Sequence, residues 1–290
     1  MNRRERRAAG LGPPTKAGGN TPPALHQAGL SHRQAGRTLD AQMCCQQALA
    51  IDPDHADTLH LMGLLSLDAK HYDHALEWIS RAMGRKPKPE YLSSLGITLQ
   101  QQGRREEALN ALDRAVQLAP DDAEAWKNRG NLLIDLKRPA DAVLSFRQTL
   151  KLNPRHWDAA YRCGFLLSEL GRPAEAIVYF DLADRLQPNQ AVILEMRAAV
   201  LHRLKRFDEA LADNQRAYAL NPGNAATCNN IGAALQKLRR NEEALPWFDR
   251  ALALRPNFIG ALNNKAATLR AVRKFDEEAA VHRLVKSISG

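Results

Sequence analysis

A proline recurs along this chain at a nearly constant spacing, and that period constrains the fold more than any other feature. Successive prolines lie 34 positions apart, with a single step of 33. Each follows a helical run, because proline lacks a backbone donor and disfavours a helical residue before it. A period of this length predicts supersecondary units that stack in chain order. The prolines are Pro53, Pro87, Pro120, Pro154, Pro188, Pro222 and Pro256.

Small and large residues alternate within each repeat in a fixed pattern. With the proline as position 32, glycine is usual at position 8 and alanine at positions 20 and 27. Glycine inside a helix costs about 1 kcal/mol relative to alanine, so its repetition predicts that two helices cross closely there. Bulky residues return at positions 4, 11 and 24 with helical spacing, which predicts an apolar stripe. They are Trp126, Leu99, Leu133, Leu167, Leu201, Leu235, Phe146, Phe180 and Phe248.

The pattern resembles the tetratricopeptide repeat (TPR) of the bacterial type. That signature has aromatics at positions 4, 11 and 24, leucine at 7, glycine at 8, alanine at 20 and 27, and proline at 32. The resemblance covers residues 24–290, with leucine at most positions 11 and with Cys163 and Cys228 at positions 7 and 4. It implies an all-α fold, a right-handed superhelical TPR solenoid of about eight helix-turn-helix repeats.

Residues 1–23 differ in kind from the repeats and are predicted to form a disordered basic tail rich in proline and glycine. They carry four arginines and one lysine against one glutamate, so +4 of the net charge of +9 lies here. The tail and the basic joint Arg85–Lys88 either attract nucleic acid or an acidic surface, or merely stay solvated. No aromatic residue is interleaved with the tail's basic residues for base stacking, so we do not expect nucleic acid as the partner.

The cysteines and the hydropathy indicate a protein of the reducing cytoplasm. Cys44, Cys45, Cys163 and Cys228 form no CxxC pair, and the last two lie on the apolar stripes. A buried thiol on such a stripe behaves as a small apolar group. The chain has no run of 18 or more apolar residues, so we expect no membrane span.

No catalytic signature occurs along the chain. Phosphate loops, serine-nucleophile elbows and dinucleotide fingerprints are missing from the sequence. His60, His71 and His74 with Asp68 and Asp73 leave a metal site open as an alternative to a hydrated loop. We expect no enzyme activity, no cofactor and no metal.

The resemblance implies that first-helix positions 2, 5, 6, 9, 12 and 13 line a concave groove. Amides are repeated at these positions, and an amide both donates and accepts, so it can hold the backbone of an extended peptide. The alternative is that the amides bond to water or to neighbouring helices. The expected partner-binding residues at positions 5, 6 and 9 are Lys127, Asn128, Asn131, Tyr161, Arg162, Phe165, Asn229, Asn230, Asn263 and Asn264.

Two known variants of the TPR groove can be compared with the residues of this sequence. Lys127 and Asn131 match the start of the carboxylate clamp that grips acidic chaperone tails. Arg162, Val192 and Met196 stand where that clamp needs asparagine, lysine and arginine, so we do not expect a clamp.

Position 6 carries a partial asparagine ladder at Asn128, Asn230 and Asn264. The ladder is similar to the solenoid that precedes the catalytic region of O-linked N-acetylglucosamine transferases, and nothing here resembles that catalytic region. We expect a protein-interaction scaffold that binds an extended peptide or a partner domain. The alternatives are the substrate-recognition part of a glycosyltransferase system and a nucleic-acid adaptor. Four basic residues favour an acidic partner: Lys127, Arg162, Arg203 and Lys237.

The last repeat departs from the pattern. Glu278 stands at position 20, where the other repeats have alanine. Either the last hairpin caps itself with Glu277, Glu278, His282 and Arg283, or the chain is a fragment of a longer protein.

Overall fold

The computed structural model describes residues 21–84 and 87–289, and this part of the chain is all-α, without a strand. The described residues fall into two compact units, the first ending at Lys137 and the second beginning at Arg138. Sixteen helices lie in the described residues. They are α1 (Pro22–Gln34), α2 (Thr38–Ile51), α3 (Ala56–Asp68), α4 (Tyr72–Met83), α5 (Pro89–Gln101), α6 (Arg105–Leu118), α7 (Ala123–Asp135), α8 (Pro139–Leu152), α9 (Trp157–Glu169), α10 (Pro173–Leu186), α11 (Ala191–Arg203), α12 (Phe207–Leu220), α13 (Ala225–Lys237), α14 (Asn241–Leu254), α15 (Ile259–Ala271) and α16 (Phe275–Ser289).

The helices confirm the all-α repeat fold, since each predicted repeat contains two of them. Helix α1 begins at Pro22, inside the predicted tail, and the Thr21 hydroxyl accepts from the Ala24 N–H at 3.4 Å. Proline is favoured in the first helical turn because its missing N–H has no helical partner there. Residues 1–20 of the predicted tail, and Arg85 and Lys86 of the basic joint, lie outside the described residues.

The first unit contains three helical hairpins followed by the single helix α7. The predicted close crossing is confirmed in it, because a Cβ on Gly63 would lie 2.6 Å from Ile79 Cγ1. A Cβ on Gly96 would likewise lie 2.6 Å from Leu112 Cγ. Position 8 therefore carries glycine where position 24 fills the space between the two helices.

The second unit contains α8 followed by four hairpins, and it follows the same rule. A Cβ on Gly232 would lie 2.6 Å from the Phe248 ring, and one on Gly164 would lie 3.0 Å from the Phe180 ring. In this unit, alanine replaces glycine where position 24 is not a large apolar residue. The two such pairs are Ala198 with Asn214 and Ala266 with His282.

The core lies between neighbouring hairpins. In the second unit Leu211, Ile231, Leu235 and Phe248 form one buried cluster that joins two hairpins. The predicted leucines of position 11 and phenylalanines of position 24 are buried, which confirms the apolar stripe. Trp126 is only half-buried, and its indole N–H donates to the Pro120 carbonyl oxygen at 3.0 Å.

In every repeat the turn after the first helix contains a residue at position 15 with positive φ, between 56° and 78°. Glycine fills this position in three turns, and lysine or arginine fills it in the other five. In the first turn the Gly36 N–H donates to the Arg33 carbonyl and the Arg37 N–H to the His32 carbonyl, at 3.0 and 2.9 Å. These two bonds satisfy carbonyl groups in the last turn of the helix. The same turn therefore forms in the repeats that have lysine or arginine at position 15.

Ion pairs occupy position 7 in the fourth, sixth and eighth repeats, where the TPR signature has leucine. In the first unit Arg129 pairs with Asp113 at 2.6 Å. In the second unit Arg197 pairs with Asp181 at 2.9 Å and Lys265 with Asp249 at 2.6 Å. Each pair joins a first helix to the second helix of the preceding repeat, a contact that our reading of the sequence missed.

The charge at position 20 of the last hairpin is compensated within that hairpin. Glu278 is 7% exposed and accepts from Arg270 Nε at 2.8 Å, with His282 Nε2 at 3.3 Å. Bonding to Arg270 holds the pKa of Glu278 below its usual range. Glu277 pairs instead with Lys274 at 3.1 Å.

Candidate functional site

The predicted groove residues lie on what we call the first-helix face, formed by positions 2, 5, 6, 9, 12 and 13 of the odd-numbered helices. In the first unit the first helices of neighbouring hairpins contact one another in turn, from α1 through α3 and α5 to α7. In the second unit α9 contacts α11, and α13 contacts α15. The face is therefore continuous in the first unit.

In the first unit, α7 carries three of the predicted residues. The Lys127 ammonium pairs with Glu124 one turn earlier on the same helix. Asn128 makes no side-chain hydrogen bond within the described residues, and the buried Asn131 Oδ1 has no partner. The half-buried Asn128 amide is thus available to a ligand, whereas the Lys127 charge is already neutralised.

A polar cluster that our sequence analysis missed lies on the same face of α3 and α5. His60 Nε2 lies 2.8 Å from Ser94 Oγ, and the His60 ring centroid lies 4.6 Å from that of Tyr91. The Tyr91 hydroxyl and the Lys88 ammonium both bond to the Asp57 carboxylate. The partners are about one repeat apart in the chain, so only the repeat period could have indicated them.

Burial controls the protonation of this cluster. Burial lowers the pKa of His60 to about 4, although the charge of Asp57 opposes the shift. Burial also raises the pKa of Tyr91, and the bond to Asp57 adds to that rise. The pKa of Asp57 is lowered: burial acts against this, and the bonds from Lys88 and Tyr91 outweigh it. Near neutral pH the cluster therefore holds a neutral imidazole beside a paired carboxylate.

Two more buried polar atoms on this face have no hydrogen-bond partner, His26 Nδ1 on α1 and Ser93 Oγ on α5. The His26 ring centroid lies 6.0 Å from that of His55. Burial lowers the pKa of His26 as well. Together with Asn131 Oδ1, these atoms give the first-helix face of the first unit three unsatisfied polar positions.

In the second unit, α9 carries the predicted aromatic residues. Arg162 Nε donates to Asp158 at 2.9 Å, and the Tyr161 ring packs edge-on against Phe180 with centroids 6.0 Å apart. Burial raises the pKa of Tyr161. Phe165 is 40% exposed. Its phenyl ring therefore adds exposed apolar surface to the face.

The remaining predicted amides are partly bonded to each other. Asn264 Nδ2 donates to Asn229 Oδ1 at 2.9 Å, which joins α15 to α13. Asn229 Nδ2 lies 3.5 Å from Asn230 Oδ1, and Asn263 is exposed. The structure therefore brings Asn229, Asn230 and Asn264 together, and this part of the ladder bonds to a neighbouring helix.

The basic residues expected to attract an acidic partner differ in how far they are neutralised. Lys127 and Arg162 are paired with carboxylates of their own helices. Arg203 donates to the carbonyl and hydroxyl of Ser168 at 3.1 and 3.0 Å, and Lys237 is exposed. Neither Arg203 nor Lys237 makes an ion pair within residues 21–84 and 87–289. Their charges therefore remain available.

Three of the five residues considered for metal binding have other partners. His60 bonds to Ser94, Asp68 to Arg33 and Asp73 to Gln102. The part of the chain that the structure describes holds no group of three or more His, Cys, Asp or Glu side chains able to bind a metal ion. None of its helices combines the length and the apolar character that crossing a membrane requires.

The structure consists of helical hairpins that repeat about every 34 residues and pack small residues against large ones. These features define a class of helical-repeat proteins. Models described as tetratricopeptide repeat match residues 32–97, 94–154, 129–191 and 225–258. The chain belongs to the tetratricopeptide repeat family.

Curated relatives share the repeat region. The chain is 30% identical over 130 residues to the type IV pilus assembly protein PilF of Pseudomonas aeruginosa, covering 44% of this chain and 52% of PilF. It is 30% identical over 102 residues to the protein O-mannosyl-transferase TMTC1 of Mus musculus, covering 33% of this chain and 11% of TMTC1. The chain thus spans about half of one relative's length and far less of the other's.

Solved structures share the fold over most of the chain. The PilF structure has a TM-score of 0.63 at 25% identity and covers 76% of this chain and 96% of PilF. YrrB, a TPR protein described as having an unusual peptide-binding site, has a TM-score of 0.62 at 25% identity and covers 66% of this chain and 98% of YrrB. MamA, at 20% identity and a TM-score of 0.56, covers 58% of this chain and 92% of its own.

Proposed function

We propose that this protein is a non-catalytic interaction scaffold whose first-helix faces bind an extended peptide segment of a partner protein. The proposal rests on the accessible side chains of these faces, which combine half-buried amides such as Asn128 in the first unit with exposed apolar groups such as Phe165 in the second. In the described residues, seven buried side-chain nitrogen or oxygen atoms have no hydrogen-bond partner. Four of these seven belong to residues of the first-helix face: His26, Ser93, Asn131 and His202.

An unsatisfied buried polar group costs about 1–3 kcal/mol, so four of them on one kind of face need a reason. Ordered water supplies the missing bonds in such cases, whereas the accessible amides of the face can bond to a ligand. The backbone of an extended segment offers N–H and C=O groups at regular intervals. Phe165 and Val192, 40% and 44% exposed, add apolar contacts for its side chains. An extended peptide therefore suits both the polar and the apolar parts of the face.

The unpaired charges favour an acidic segment on the second unit. Arg203 and Lys237 occupy position 13 of successive repeats, and both lack a carboxylate partner in the described residues. Opposite charge speeds association and orients the partner more than it adds affinity. The peptide-binding site described for YrrB, at 25% identity, supports a peptide as the ligand class.

A second candidate is that the chain serves as the substrate-recognition part of a glycosyltransferase system. The match to the mannosyl-transferase TMTC1 over 102 residues favours it. This candidate predicts binding of the same extended segment, followed by its modification by a separate catalytic chain. Mass analysis of the bound partner for added sugars distinguishes it from a simple scaffold.

A capture experiment with matched variants tests the first-helix face. The face variant combines Asn131→Ala and Phe165→Ala. The control variant combines Asn110→Ala and Val178→Ala, two exposed residues of second helices. Partners retained from lysate by the intact chain are identified, and their affinities for all three chains are measured by calorimetry.

We expect the face variant to bind the partner about tenfold more weakly or worse, since each truncated contact removes about 1 kcal/mol or more. The control variant should bind like the intact chain, and all three should show the same circular dichroism. Equal weakening by both variants, or undiminished binding by the face variant, would refute the assignment.

A further inference from the structure

An open cavity of about 360 Å³ lies in the second unit between α14 and the last hairpin. Leu245, Pro246, Leu269 and Val272 form its apolar part. Its lining residues occupy positions other than those of the first-helix face, so it is a separate site. Its volume falls in the range of small-ligand pockets, about 300–1,000 Å³.

Pro246 gives the cavity wall an unusual backbone acceptor. It lies inside α14, whereas the other helical prolines of the described residues lie in the first turn. Because proline has no N–H, the Glu242 carbonyl one turn earlier loses its helical donor. Glu242 and Pro246 both line the cavity, so this acceptor lies beside it.

The charged rim of the cavity retains one unpaired carboxylate. Lys265 pairs with Asp249 at 2.6 Å and Lys274 with Glu277 at 3.1 Å. Glu242 is exposed and makes no ion pair in the part of the chain that the structure describes. One residue therefore presents two acceptors, a carboxylate and a carbonyl oxygen, next to an apolar surface.

We propose that this cavity binds an arginine side chain from a basic segment of a partner protein. The methylene stem packs on Leu245, Leu269 and Val272, and the guanidinium donates to the carboxylate and the freed carbonyl of Glu242. Arginine suits the site better than lysine because its planar group carries several donors in a fixed arrangement. An acidic side chain is excluded by the net negative rim.

The geometry is testable with a small probe and the intact chain. N-acetyl-arginine amide is titrated against protein labelled at its leucine and valine methyl groups, and methyl shifts are followed by NMR. The matched probe is N-acetyl-citrulline amide, which has nearly the same shape without the charge. We expect the methyl groups of Leu245, Leu269 and Val272 to shift with the arginine probe and much less with the citrulline probe.

Two neighbouring glutamates provide the matched variants. Glu242→Gln should weaken binding of the arginine probe about fivefold, since it replaces a charge-assisted bond by a neutral one. Glu243→Gln removes the same charge one residue away, where Glu243 pairs with Arg240 at 2.7 Å, and should leave binding unchanged. Pro246→Ala should also weaken binding, because the restored N–H competes for the Glu242 carbonyl.

Three outcomes would overturn the proposal. These are equal shifts with the arginine and citrulline probes, equal weakening by both glutamate variants, and no methyl shifts at all. The same titration with a lysine probe separates arginine recognition from simple charge attraction. Equal affinities for the lysine and arginine probes would contradict the proposed pair of hydrogen bonds from the guanidinium to Glu242. Circular dichroism of each variant verifies that the helices are retained.

Discussion

Arg197 donates two hydrogen bonds to Asp213, at 2.6 and 2.7 Å, while the two side chains are only 14% and 6% exposed. The same guanidinium lies 2.9 Å from Asp181 and 3.2 Å from Asp184. Hydrogen bonding to Asp213 raises the pKa of Arg197 above its usual value, and the other carboxylates add to this. A charge network therefore holds two repeats together at a position where the family signature has leucine.

Arg197→Leu should destabilise the protein although it restores the residue typical of the family. Arg216 would remain the counter-ion of both buried carboxylates, 3.0 Å from Asp184 and 3.7 Å from Asp213. The loss should therefore stay below the roughly 3–5 kcal/mol that breaking a fully buried pair costs. Arg129→Leu, in the more exposed pair with Asp113, should cost about 1 kcal/mol or less. Urea unfolding followed by circular dichroism measures both. A leucine variant at 197 as stable as the parent would contradict the role given to the network.

Gly232→Ala should lower the free energy of unfolding by about 1–3 kcal/mol, because overpacking outweighs the better helix propensity of alanine. The added Cβ would lie 2.6 Å from the Phe248 ring. Ala198→Gly is the matched change in the preceding hairpin, where it should cost about 1 kcal/mol through helix propensity, in addition to the packing of the buried methyl group. Adding Phe248→Leu to the Gly232 variant should recover part of the loss in thermal unfolding. No recovery would mean that the ring is not the obstacle.

The repeat fold could be predicted from the sequence because each repeat packs mainly against its neighbours. Small residues at position 8 and large ones at position 24 meet within a hairpin, as Gly96 meets Leu112. This complementarity is local, so the period alone predicts which residues are buried. The charge of Glu278 is likewise compensated locally, because its partner Arg270 lies in the same hairpin.

The candidate site was harder to predict because each polar side chain can form hydrogen bonds with several different partners. The sequence places amides on one face, yet only the structure shows that Asn264 bonds to Asn229. Likewise Lys127 is on the predicted face, but its pairing with Glu124 removes its charge from the groove. Atoms without a partner, such as His26 Nδ1, cannot be recognised before the side chains are placed.

The cysteines should differ in reactivity by their burial. Burial raises the pKa of Cys45 and of Cys163 to about 12, and the pKa of Cys228 is raised for the same reason. Only the thiolate is nucleophilic, so these three should react slowly in the native state. Cys44 is half-buried and should react first with a thiol reagent at pH 7.5. Mass spectrometry of the modified peptides measures the order, and early labelling of Cys163 would contradict it.

Acid should destabilise the protein through protonation of His60 in the unfolded chain. In the folded protein the His60 pKa is about 4, against 6.5 for a free histidine, because burial disfavours the charged ring. Asp57 acts against this shift, while Arg33, His26 and Lys88 act with it. As the pH falls below 6.5 the unfolded chain binds this proton first, so stability is lost from pH 6.5 down to about pH 4.

The loss assigned to His60 should reach about 1–3 kcal/mol, since each pKa unit corresponds to 1.36 kcal/mol and the ring is only half-buried. His60→Gln keeps a hydrogen-bonding group near Ser94 but cannot titrate, so its stability should fall less between pH 7 and pH 4.5. His74→Gln, an exposed position, is the matched control and should keep the parental pH dependence. Carboxylates titrate alike in all three chains, so the difference between their urea midpoints isolates the imidazole. Identical curves for the His60 and His74 variants would show that the proton binds elsewhere.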